Sequence, residues 1–98
     1  MNWTFFINKW TAIVNKPNER TEYLVEYDQY FDLHRAYATR TIGFTVQHSY
    51  LGAFREVEDA KQQAELFDSD PIKNPAKITF DVKIGEQLSI TMEDGCSE

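Results

Sequence analysis

The chain has 98 residues, 42% of them hydrophobic and 14% aromatic, with a formal net charge of −6. That length excludes more than one ordinary domain, and that apolar content excludes disorder along the whole chain. The charge is uneven: residues 1–55 hold five acids and six bases, residues 56–98 eleven acids and four bases, so the second half repels phosphate and anionic lipid and attracts basic surfaces.

The N-terminal stretch "MNWTFFINKWTAIV" places Trp3, Phe6, Ile7, Trp10 and Val14 at helical spacing, which predicts a helix over 3–14. The β-branched Thr4, Ile7, Thr11, Ile13 and Val14 favour a strand instead, and the alternative is a hairpin pairing 9–14 with 20–27. Asn8 and Lys9 interrupt the apolar run, which has no basic leader and no small-residue cleavage site. It is also shorter than the ~20 residues that cross a bilayer. A cytoplasmic protein is expected, in which the sequon Asn2-Trp3-Thr4 has no consequence.

"NKPNER" (15–20) separates this segment from "EYLVEYDQYFDLHRAYATR" (22–40). At 100° per residue, Tyr23, Leu24, Tyr27, Tyr30, Phe31, His34, Tyr37 and Ala38 share an arc, which predicts a helix over 19–38 with Asn18 as its N-cap. Asp28, Asp32 and Arg35 would flank that arc as local ion pairs. Two carboxylates four apart could hold a cation, but a hard cation needs six or more oxygens and no third ligand is near. His34, in the middle of the arc, reads as a hydrogen-bonded core residue.

Residues 40–47 alternate cleanly, with Ile42, Phe44 and Val46 on one side, and predict a strand; 50–54 predicts its return. Residues 56–67 predict a second helix, with Val57, Ala60, Ala64 and Phe67 on one face and Glu56, Glu58 and Asp59 at its N-terminal end. "DSDPIKNP" (68–75) reads as a loop. Residues 77–84 and 88–92 predict a hairpin across Gly85–Gln87, in register Ile84–Leu88, Val82–Ile90 and Phe80–Met92. The expected fold is α+β: a small antiparallel sheet packed against helices 19–38 and 56–67, in one domain over 1–98 with a flexible tail at 94–98.

No sequence motif names a reaction. G-x-S-x-G, H-E-x-x-H, P-loop and G-x-G-x-x-G patterns do not occur. His34, His48 and the lone Cys96 lack zinc-site spacing, and one cysteine makes no internal disulfide. The reading is therefore a non-enzymatic binding protein with no catalytic residue, metal or cofactor. It would be an inhibitor or adaptor that presents Glu56, Glu58, Asp59, Glu65, Asp68 and Asp70 to a basic protein partner. Enzymes that bind nucleic acid are one such class, as targets of virus- or plasmid-encoded inhibitors whose carboxylates stand in for phosphates. A face bearing Tyr23, Tyr27, Tyr30 and Tyr37 suits a boundary between core and interface, so a homodimer or assembly subunit joined through it is the alternative. A small enzyme using His34 with Asp32 and Arg35 is a third reading. Direct binding to nucleic acid or to a membrane is not expected.

Overall fold

Across residues 20–28 polar and apolar side chains alternate except at Leu24, and this stretch forms the third strand of an antiparallel sheet. The computed structural model describes residues 1–83. Thr21, Tyr23 and Val25 point to one side and are fully buried, while Arg20, Glu22, Leu24, Glu26 and Asp28 point to the other. The elements run β1 (Thr4–Phe6), β2 (Lys9–Lys16), β3 (Glu19–Asp28), β4 (Leu33–Ile42), β5 (Thr45–Phe54), α1 (Val57–Ser69) and β6 (Ile78–Lys83). Among the described residues the sheet has six strands in chain order, β1 to β6, and every pairing is antiparallel.

The turns explain where the strands begin and end. Ile7 and Asn8 both have positive φ, at 47° and 63°, as a two-residue hairpin loop of the primed kind requires. Between β2 and β3 the loop is Pro17-Asn18. Proline presets the first position and Asn18 takes φ 63° at the second. Asp28 turns the chain between β3 and β4: its Oδ1 accepts the backbone N–H of Tyr30 at 3.0 Å and of Phe31 at 3.3 Å. Gly43, at φ 59°, opens the two-residue loop between β4 and β5.

The sequence-based α+β class holds, but with one helix rather than two among the described residues. The helix expected over 19–38 is the β3–β4 hairpin. Its arc arose because a four-residue turn resets the phase of two alternating strands, so their aromatics fell near a 3.6-residue period. The helix expected over 3–14 is the β1–β2 hairpin, and the alternative pairing of 9–14 with 20–27 matches the β2–β3 register, Lys9 opposite Glu26 to Val14 opposite Thr21. Asn18 caps no helix. The strand expected over 40–47 is split by the Gly43-Phe44 turn, and the strand expected over 50–54 is the end of β5. The second helix and the strand from residue 78 stand as read, with α1 extending to Ser69. The hairpin partner at 88–92, its register and the tail at 94–98 lie outside the described residues.

α1 packs on β3, β4 and β5. Alanines let it come close: Ala60 and Ala64 meet a sheet surface that includes Ala12, Ala36 and Ala38, with Tyr23, Val25, Leu51 and Phe67 filling the rest. Trp3, Trp10, Val14, Phe54, Val57 and Ala76 close the margin. A β-bulge interrupts the β4–β5 ladder, Ala36 facing Gly52 and Tyr37 facing Tyr50, so Leu51 is the extra residue. Its side chain joins the core. Gly52 sits at φ 134°, and a Cβ there would lie 3.1 Å from the Phe54 ring and 3.2 Å from Lys77 Cε.

Candidate binding faces

One face belongs to α1. Its residues on the sheet side are apolar, so its carboxylates fall on the outer side by helical period. Glu56, Glu58, Asp59 and Glu65 are exposed. Lys61 is the only cation in the helix. Its Nζ lies 3.4 Å from the centre of the Trp10 ring, with the side chain 14% exposed and Glu58 Oε2 at 3.8 Å. A lysine held over an indole face in this way is a cation–π contact.

The six acids expected to act together divide into two kinds. Glu56, Glu58, Asp59 and Glu65 line the outer side of α1, where Glu65 accepts a hydrogen bond from Trp3 Nε1 at 3.2 Å. Asp68 and Asp70 hold the fold. Asp68 Oδ1 accepts the hydroxyl of buried Tyr23 at 2.9 Å and meets Lys16 Nζ at 3.3 Å. Burial first, and then Asp68, push the Tyr23 hydroxyl far above the ordinary phenol range. Asp70 Oδ1 accepts the N–H of Lys73 at 3.2 Å in the turn after α1.

The four tyrosines expected on one face do not share one. Tyr23 is buried under α1. Tyr27 donates to Asp32 Oδ1 at 2.7 Å at the end of β3. Tyr30 is 85% exposed in the β3–β4 turn, edge-on to Phe31 at 4.8 Å between ring centres. Tyr37 is on the opposite side of the sheet, beside Tyr50 at 5.5 Å. His34 Nδ1 lies 3.2 Å from the Arg55 carbonyl, which can only accept, so this nitrogen carries the hydrogen. Asp32 bonds Tyr27 and Arg35 bonds Asp28 and Tyr50, so His34, Asp32 and Arg35 are not one cluster. Among the described residues no group of three or more His, Cys, Asp or Glu side chains is placed to hold a metal ion.

The second face is the side of the sheet away from α1, which the sequence reading missed. Here Leu24, Tyr37, His48, Tyr50, Ile78 and Phe80 line a concave pocket of about 610 Å³. That is inside the range of ligand-sized sites, roughly 300–1,000 Å³. Ile78 and Phe80 are 62% and 57% exposed. His48 Nδ1 lies 3.4 Å from Thr39 Oγ1, with its ring tilted on Phe80 at 5.3 Å. A smaller, more polar hollow of about 410 Å³ adjoins it, lined by Asp28, Gln29, Tyr30 and Arg35, and the two share Glu26 and Tyr37. Arg35 Nε donates to Asp28 Oδ2 at 3.1 Å and its Nη1 to the Tyr50 hydroxyl at 3.0 Å. The signal for this face was present in the sequence as the second phase of each alternation, Leu24 and Glu26 in β3, Tyr37 and Thr39 in β4. Reading the segment as a helix merged the two phases.

No family model, no curated protein and no solved structure matches this chain. No helix among the described residues is long and apolar enough to cross a membrane.

Proposed function

We propose that the protein is a non-enzymatic binding protein, an inhibitor or adaptor that lays the outer side of α1 against a basic protein surface. The observation that carries this reading is Lys61 withdrawn onto Trp10. With the only lysine of the helix drawn onto Trp10, where it also pairs with Glu58, the carboxylates of Glu56, Asp59 and Glu65 meet solvent as a ridge, with no lysine of the helix among them. Such a ridge raises the encounter rate with a positively charged partner and repels a negative one. Proteins that handle nucleic acid carry grooves of this complementary sign, and carboxylates displayed on a helix can occupy a channel built for phosphates, as in virus- and plasmid-encoded inhibitors.

The test is capture of partners from lysate at low and at high salt, repeated with Glu56→Gln, Glu58→Gln, Asp59→Asn and Glu65→Gln combined. Asp68 and Asp70 stay intact because they hold the fold. The expected result is a set of basic proteins that both treatments release. Capture indifferent to salt and to the four substitutions would overturn the reading.

A further inference from the structure

We propose that the pocket on the side of the sheet away from α1 is a binding site for an apolar amine: an ammonium group on an aromatic or aliphatic body. The body would lie on Leu24, Tyr37, Tyr50, Ile78 and Phe80, and the ammonium at Glu26. Size and lining come from the pocket itself, whose wall is aromatic and aliphatic with a few polar groups at its margins.

The sign of the head group comes from the charges where the two hollows meet. Glu26 and Asp28 bring two carboxylates and Arg35 one guanidinium. Arg35 is the direct cross-strand partner of Glu26 in the β3–β4 register. Its guanidinium nevertheless turns to Asp28 and Tyr50, at 3.1 and 3.0 Å. Among the described residues the cation within 4 Å of Glu26 is Lys9, at 3.5 Å, with both side chains about half exposed, 53% and 42%. Such a pair is weak and yields readily to a better-placed cation. Glu26 and Tyr37 line the same pocket, and burial first and then the Glu26 charge push the Tyr37 hydroxyl above its ordinary value. A carboxylate that shares a pocket lining with two tyrosine rings, Tyr37 and Tyr50, offers an alkylammonium group both a counter-charge and aromatic rings.

Tryptamine and indole-3-acetate share one ring system and carry opposite heads, so they separate the two parts of the proposal. Each is titrated into isotope-labelled protein while backbone amides are followed by NMR, alongside indole as the neutral probe. Saturable tryptamine shifts at Leu24, Tyr37, Tyr50 and Phe80 are expected, with indole-3-acetate weaker by about ten-fold or more. Glu26→Gln should bring tryptamine down to the level of indole, and Phe80→Ser should weaken all three probes, both variants keeping the dispersion of the folded protein. Equal binding of the two heads, no saturable binding, or an unchanged preference in Glu26→Gln would each overturn the proposal. So would shifts of the same amides with protein concentration alone, which would mean that a second copy of the chain covers this face. The acidic ridge lies on the other side of the sheet, so loss of one site leaves the other readable.

Discussion

Tyr23 joins the two layers by a polar contact inside an otherwise apolar interface. Its ring is fully buried and its hydroxyl reaches Asp68 on α1. Tyr23→Phe keeps the ring and removes that bond, and urea unfolding should show a loss of about 1–1.5 kcal/mol. Asp28 gives a pH signature. Desolvation pushes its carboxyl up, but the N–H groups of Phe31 and Tyr30 together with Arg35 outweigh it and hold the group below the ordinary aspartate value. A depressed folded value means stability that is present above the unfolded pKa, near ~3.9, and is lost as pH falls through the folded one. The urea midpoint should therefore drop below about pH 4. Asp28→Asn should be less stable than the parent at neutral pH, with the gap narrowing in acid. Gly52 combines left-handed φ with a Cβ position already in contact with Phe54 and Lys77. Gly52→Ala should cost about 1–3 kcal/mol, seen as a lowered unfolding midpoint. Arg40 Nε lies 3.1 Å from Glu19 Oε2 without its N–H aimed there, so this contact is an ion pair rather than a hydrogen bond.

Among the elements, α1 was legible because its signals agree. Helix formers, acids in the first turn and the Val57–Ala60–Ala64–Phe67 spacing all point one way. The β3–β4 hairpin was not, because its turn is built from Asp28, Gln29, Tyr30, Phe31 and Asp32, with neither Gly nor Pro. Asp28 turns the chain through its side chain and Asp32 takes φ 55°, a conformation aspartate tolerates and a pattern search passes over. The acidic ridge was half legible: period places Glu58 and Asp59 outside, but only the packed structure assigns Asp68 to Tyr23. The β1–β2 turn carries a local conflict. Ile7 is β-branched, 70% exposed and at φ 47°, where left-handed backbone costs such residues about 1–2 kcal/mol. Ile7→Gly should raise the thermal midpoint, with a gain of about 0.5–1 kcal/mol.

At the scale of the molecule, the sheet separates two surfaces of different character. α1 covers the centre of one side and carries the acids outward, while the other side offers the aromatic pocket and its Glu26 margin. The two proposed contacts should respond differently to salt: attraction of a basic partner to the exposed acids would fade as salt screens them, whereas an apolar body on Tyr37 and Phe80 would be held by area removed from water and persist. The chain-order sheet has a kinetic consequence. Each hairpin from β1 to β5 can close on its immediate neighbour, so most of the search is local and the loop-closure entropy small. Only β6 must wait for α1 to be laid down. Folding should run from the β2–β5 meander outward, faster than is usual for β proteins of this length. Val25→Ala, in the meander, should slow refolding in stopped-flow traces. Ala64→Gly, in α1, should chiefly accelerate unfolding. The polypeptide thus assembles from its central meander outward, and the helix acts as the latch that sets how long the finished molecule stays shut.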